Sequence, residues 1–177
     1  MKHLIVFFLL MSFALQANSQ KLLENLSERS EVTVVIFLAI DCPISQKYIP
    51  VLNAIHKTYS GRDVKIHAFV PGRIQKADLK KFEDEYGLAF TIAPDKKFRW
   101  VNMLSATTTP EVFVFDNQLA MKYRGAIDNW FYELGGYRKD ATENYLIDSI
   151  EALLAGNTPE IEKTKPLGCI IQVPGGK

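Results

Sequence analysis

One α/β domain, with a central mixed sheet flanked by helices, is the fold the sequence predicts. Three observations carry this. β-Branched apolar runs alternate with helix-like stretches through the first half of the chain, the pattern of parallel strands joined by crossover helices. The alternation ends in two strand-like runs separated by Asp116-Asn117, a turn signal that adds an antiparallel edge. Composition is ordinary for a globular protein, with 47% of the 177 residues hydrophobic and 23% charged, and a chain of this length can bury a substantial core.

Every position from Val32 to Ile40 is apolar or β-branched, as in a central strand buried on both faces. Asp41-Cys42-Pro43 breaks that run, and a helix is expected from about Pro43 to Tyr59. Pro43 is tolerated in a first turn, where its missing N–H has no partner to lose. Pro50 falls inside the helix and is expected to kink it, and Ser60-Gly61 ends it. Val64 to Val70 reads as a second strand, stopped by Pro71-Gly72. Gln75 to Tyr86 is a charge-rich amphipathic helix closed by Gly87. Phe90 to Ala93 is a short strand and Lys96 to Ser105 a short helix. Thr109-Pro110 leads into a strand over Glu111 to Phe115, and Leu119 to Tyr123 pairs back on it. A loop rich in Gly and aromatics follows, with Trp130, Phe131 and Tyr132. The last helix is expected over Ala141 to Leu154.

The N-terminus has the layout of a secretory signal. Lys2 and His3 are followed by the apolar stretch Leu4 to Leu15, and Ala17-Asn18-Ser19 supplies small residues where a signal peptidase reads. The apolar run has about 12 residues, short of the roughly 20 a membrane span needs. The expected organisation is a signal peptide over 1–19, the domain over 20–156 and a tail over 157–177. The mature protein is therefore expected outside the cytoplasm, periplasmic or secreted, without stable membrane insertion. The net charge of +1, from 21 basic and 20 acidic residues, supplies no field for nucleic acid or anionic lipid. There are two cysteines, Cys42 in the domain and Cys169 in the tail. In an exported chain they could form one long-range bridge or remain two thiols.

A strand, then a cysteine, then a helix carrying Pro50, then Thr109-Pro110 opening another strand: this order resembles the thioredoxin-like fold. More narrowly, the chain is similar to redoxin-type proteins of the alkyl hydroperoxide reductase/thiol-specific antioxidant family. The segments that carry the resemblance are Asp41-Cys42-Pro43-Ile44-Ser45-Gln46-Lys47-Tyr48, Thr109-Pro110-Glu111-Val112-Phe113-Val114, Tyr123-Arg124-Gly125-Ala126-Ile127-Asp128 and Gly168-Cys169-Ile170. The resemblance implies a thiol-dependent oxidoreductase acting on protein or small-molecule thiols and disulfides, with no cofactor and no metal. It implies a cis peptide bond before Pro110, beside the thiol, with Thr109 offering its backbone to an extended peptide. Two departures limit it. Ser45 stands where a Cys-x-x-Cys motif would place its second cysteine. Ala39 and Val35 stand where the peroxide-reducing members carry a hydroxyl residue and a proline, so peroxidase activity is expected to be poor.

Cys42 starts a helix, where unpaired N–H groups and the helix dipole favour thiolate over thiol. Asp41 beside it, and Glu111 if it lies near, oppose that shift. Ser45, one turn on, faces the same side and could donate a hydrogen bond to the sulfur. Glu111 could move a proton near Cys42 or be a solvated strand-end carboxylate. Cys169 is the candidate resolving thiol. Two other functions compete with redox chemistry. A non-catalytic binding or chaperone module would use Trp130, Phe131 and Tyr132. A copper-handling protein would hold Cu(I) through cysteine and a histidine, with only His56 and His67 available after the leader.

Overall fold

The computed structural model describes residues 21, 23–27 and 30–175; the leader expected over 1–19 lies outside the described residues. The first three strands are β1 (Val32–Phe37), β2 (Val64–Pro71) and β3 (Ile92–Asp95); the short β4 (Thr108–Thr109) precedes β5 (Glu111–Asp116) and β6 (Met121–Gly125). All but β4 form the main sheet, in the order β3-β2-β1-β5-β6. β1 runs parallel to β2 and β2 to β3, whereas β5 is antiparallel to both β1 and β6. The helices are α1 (Pro43–Tyr59), α2 (Lys76–Tyr86), α3 (Arg99–Leu104) and α4 (Tyr145–Leu154). The predicted α/β class and mixed sheet are thus present.

β1 is buried at every position, and its two-residue period explains how. Val32, Val34 and Ile36 join Ile49, Leu52, Leu146 and Ile150 in one core. Val35 and Phe37 join Phe69, Val101, Leu104 and Phe113 in the other. Each apolar side chain in the middle strand therefore leaves water whichever way it points, and burial of that size stabilises by about 1.5–3 kcal/mol per large residue. The α1 helix continues through Pro50, which lies on its exposed face and supplies no N–H to the carbonyl one turn back.

Several boundaries differ from expectation for local reasons. The third helix begins at Arg99, because the buried Asp95 carboxylate accepts hydrogen bonds from the N–H groups of Arg99 (2.8 Å), Trp100 (2.9 Å) and Val101 (3.0 Å). Those are first-turn donors with no partner inside a helix. The last helix begins at Tyr145, since the Asn129 side-chain oxygen takes the N–H groups of Thr142 and Glu143 into a turn. The aromatic loop contains a small hairpin, β7 (Phe131–Glu133) and β8 (Gly136–Tyr137). Trp130 and Phe131 pack on Tyr48 of α1, at ring separations of 5.4 and 5.5 Å.

The tail expected over 157–177 folds back onto the domain. Thr164 anchors it to the end of β6. Its hydroxyl accepts the Ala126 N–H at 2.9 Å and meets the Tyr123 hydroxyl at 2.6 Å. The Arg124 N–H donates to Glu162 and the Thr164 N–H donates to Arg124. Gly125 sits at φ +143°, and a Cβ there would overlap Thr164, so only glycine admits the anchor. Beyond it, β9 (Cys169–Ile170) pairs antiparallel with β4.

Candidate functional site

Cys42 occupies the N-cap position of α1, with extended backbone (φ −88°, ψ 114°) and Pro43 as the first helical residue. The segment between β1 and the helix is pinned on three sides. Leu38 N–H donates to Phe69 at 2.9 Å, Ala39 N–H to the Ser45 hydroxyl oxygen at 3.2 Å, and the Gln46 side-chain amide to Ile40 at 2.7 Å. Sequence and local structure agree here. The central strand releases its chain at its C-terminal end, and a proline that cannot donate begins the helix just where no acceptor is needed.

The sulfur of Cys42 is joined to that of Cys169 in a disulfide spanning 127 residues, with Cα atoms 6.0 Å apart, inside the range the bond requires. The sequence leaves open a bridge or two thiols; the fold brings the two cysteines together. The Thr109–Pro110 peptide bond is cis, as the resemblance implies. Cys42 Sγ lies 3.2 Å from the Thr109 carbonyl oxygen. Cys42 is 1% exposed, whereas Cys169 is partly exposed and borders a groove of about 350 Å³ shared with Asp41, Pro71, Phe98 and Gln172.

Ser45 is fully buried, and its oxygen is engaged by Ala39 N–H; it ties the cysteine loop to the first turn. Glu111 is not the solvated strand-end carboxylate considered from sequence. It is 1% exposed, accepts the N–H groups of Thr107 (2.8 Å) and Thr108 (3.3 Å), and pairs with Arg124 at 2.8 Å. Burial of a charge demands such partners, and the result is a brace behind the Thr107–Thr109 segment. Arg124 also donates to the Ser105 carbonyl at 3.0 Å. Sequence reasoning passed over Arg124 and Thr164 as site residues; what could have marked Arg124 is strand alternation, which turns it to the face opposite Tyr123, over Phe113.

A second buried polar pair lies further along α1, at Tyr48. The Tyr48 hydroxyl donates to Asp128, which also accepts the Trp130 N–H at 2.8 Å. Burial raises the Asp128 carboxyl above its ordinary range, opposed by these two hydrogen bonds, and burial with the adjacent carboxylate raises Tyr48.

The two histidines of the copper alternative have scaffold partners. His67 Nε2 lies 2.7 Å from the Leu26 carbonyl, and His56 packs against the Phe90 ring. Among the described residues no group of three His, Cys, Asp or Glu gathers as a metal site. Among the described residues, too, no helix is long and apolar enough to cross a membrane.

Solved structures share this architecture. A hypothetical protein from Sinorhizobium meliloti is 21% identical, with a TM-score of 0.75 over 85% of this chain and 84% of that one. An uncharacterized conserved protein from Geobacillus kaustophilus is 25% identical, with a TM-score of 0.72 over 84% of this chain and 81% of that one. A DsbE-type thiol:disulfide interchange protein from Chlorobium tepidum is 21% identical, with a TM-score of 0.51 over 56% of this chain and 70% of that one. Among curated proteins nothing matches. The sequence model of the AhpC/TSA family matches residues 10–124, more than half of the chain. With a cysteine at the strand-to-helix junction and a thioredoxin-like sheet around it, the chain belongs to the AhpC/TSA family.

Proposed function

We propose that this chain is an exported thiol–disulfide oxidoreductase whose redox couple is Cys42 and Cys169. The observation that carries the reading is the disulfide between a helix N-terminal cysteine and a tail cysteine, beside the Thr109 backbone. In the reduced protein the Cys42 thiolate, favoured by the first-turn N–H groups, attacks one sulfur of a substrate disulfide. A Cys42–substrate bond forms and the other substrate sulfur leaves as thiolate. The Cys169 thiolate then attacks the Cys42 sulfur, closes the internal disulfide and releases the second substrate thiolate. Two protein thiols are oxidised and one substrate disulfide is reduced; the steps reverse when a dithiol meets the oxidised protein. Ser45 positions the loop, and Glu111 with Arg124 positions the Thr107–Thr109 backbone. Export rests on the leader read over Lys2 to Ser19, and N-terminal sequencing of mature protein should start at Gln20.

The test uses a disulfide-bonded model peptide. Wild type should turn it over with an external dithiol present. With the dithiol left out, Cys169→Ser should stop at a mixed disulfide on Cys42, and Cys42→Ser should do neither. Undiminished turnover by Cys42→Ser would reject the reading. One observation favours a second function, a binding module without turnover: the β7–β8 hairpin exposes Tyr132, Leu134 and Tyr137. Client binding that survives Cys42→Ser, with no exchange in wild type, would select it.

A further inference from the structure

The tail lies where an incoming peptide would have to lie. Cys169 and Ile170 pair with Thr109 and Thr108, the Thr109 hydroxyl donates to the Cys169 carbonyl at 3.3 Å, and the Ile171 N–H donates to the Thr107 carbonyl at 2.9 Å. The pairing and the Ile171 bond are the main-chain bonds of an added strand, and the Thr109 hydroxyl adds a side-chain one. The fit is closest at Gly168. A Cβ on that residue would overlap the Thr109 carbonyl and come within 3.1 Å of Pro110 Cδ. Gly168 carries no positive φ that would by itself demand glycine. The demand comes from the approach of two backbones. Glu111 holds the other side of the same segment through Thr107 and Thr108, so the edge cannot recede to admit a side chain.

We propose that the Thr107–Thr109 edge selects extended polypeptides in which glycine directly precedes the reacting cysteine, and that the tail's own Gly168–Cys169 is its resident occupant. This rests on the exchange reading of Cys42 given above. The buried Cys42 sulfur and the edge become available together when the disulfide is reduced. An external thiolate enters by the groove that borders Cys169 and attacks the Cys169 sulfur. A thiolate–Cys169 disulfide forms and Cys42 leaves as thiolate; a second external thiolate then frees Cys169. The tail stays tethered at Thr164, while residues 166–173 come off the edge. A partner strand whose cysteine is held in a disulfide takes their place; the Cys42 thiolate attacks that cysteine's sulfur, a Cys42–partner disulfide forms and the partner's other sulfur leaves as thiolate. Return of Cys169 to Cys42 seats the tail again and expels the partner strand, so resolution and release are one event.

The experiment has two arms. In the first, backbone deuterium exchange of the full chain is compared in oxidised and reduced states. Reduction should speed exchange over 166–173 at least about tenfold while 123–126 and 162–164 stay protected, since only the second anchor depends on the disulfide. Equal protection of 166–173 in both states would overturn the proposal. In the second, reduced full-length Cys169→Ser is mixed with two synthetic peptides of the sequence 166–173, each with its cysteine activated as a mixed disulfide with thionitrobenzoate. One keeps glycine before the cysteine and the other has valine there. Cys42 should form a disulfide with the glycine peptide, releasing thionitrobenzoate, about tenfold or more faster, the discrimination that a few misplaced carbon atoms produce. Equal rates would overturn the selection while leaving exchange at Cys42 intact. Failure of Cys42 to react even with the symmetric thionitrobenzoate disulfide would instead remove the exchange reading and this proposal with it.

Discussion

Reducing Cys42–Cys169 should cost the folded protein much of its stability, and the size follows from the chain. Closing a loop of 127 residues removes unfolded-state entropy worth about 5 kcal/mol at room temperature on the loop-closure relation, and native proteins realise about 2–4 kcal/mol of such terms. The non-covalent hold on the tail is weaker. Beyond Thr164 it consists of the short β4–β9 pairing, the Ile171 bond and the Thr109 hydroxyl, each contributing about 1 kcal/mol, together with the packing of the half-buried Leu167, Ile171 and Val173 on the two cores, which adds about 1 kcal/mol per side chain. Against them stands the ordering of residues 166–173, at roughly 1–2 kcal/mol of backbone entropy per residue. The covalent bond therefore decides whether the tail is seated. Urea unfolding followed by fluorescence of Trp100 and Trp130, with linear extrapolation, should show the oxidised protein more stable than the reduced by about 2–4 kcal/mol. Cys169→Ser should match the reduced protein. A gap below about 1 kcal/mol, or a Cys169→Ser variant as stable as oxidised wild type, would refute the reasoning.

Other outcomes are expected from the same geometry. Removing Arg124 by Arg124→Ala leaves Glu111 buried with no counter-charge, and breaking such a pair costs about 3–5 kcal/mol; a chemical denaturation series on the variant checks it, and a loss under about 1 kcal/mol would show that the Thr107 and Thr108 N–H groups suffice. Reduced protein treated with hydrogen peroxide should lose its Cys42 thiol no faster than a free thiolate at matched pH, because Ala39 and Val35 offer neither hydroxyl nor proline; rapid selective oxidation, read by mass spectrometry, would contradict this. The Glu151 carboxyl is held below its ordinary value first by Arg62 and then by Tyr59. A depressed folded pKa adds stability that is present above the unfolded value and disappears as pH falls through the folded one. The melting-temperature gap between wild type and Glu151→Gln should thus be open at neutral pH and close in acid.

Much of the fold was readable because burial leaves a period in the sequence. The run Val32 to Ile40 declared a two-sided strand, and the Asp116-Asn117 turn declared the hairpin. Local chemistry hid the rest. Nothing in the composition of Ala141 to Asn144 says that Asn129 will capture its amides, and Asp95 resembles any strand-end acid until three helix N–H groups converge on it. At the site, Cys42 and Thr109-Pro110 were legible from order and resemblance. The state of Glu111 was not, since a carboxylate after a proline looks the same in solvent as under an arginine. The tail was least legible of all. A two-residue strand has no period to detect, and its register is set by one disulfide and by Thr164, both long-range.

The missing cysteine at position 45 and the tail belong to one arrangement. On the proposed exchange, with Ser45 in the first turn, the resolving sulfur cannot come from the helix, and Cys169 brings it on a strand instead. A helix-borne resolving thiol leaves the neighbouring peptide edge open in both redox states. A strand-borne one must cover that edge in order to reach Cys42, since its backbone has to lie within bonding distance of Thr109. The same 6.0 Å Cα separation that permits the bond therefore closes the docking edge whenever the bond is made. On the proposal above, occupancy by the tail and occupancy by a partner strand exclude each other, and the oxidation state of two sulfurs decides between them. A variant that restores a local pair, Ser45→Cys with Cys169→Ser, should separate the two effects. If the introduced thiol bonds to Cys42, the oxidised protein keeps its edge open, and peptide binding there no longer depends on redox state. Retention of strict redox control in that variant would mean that the gate lies somewhere other than the tail.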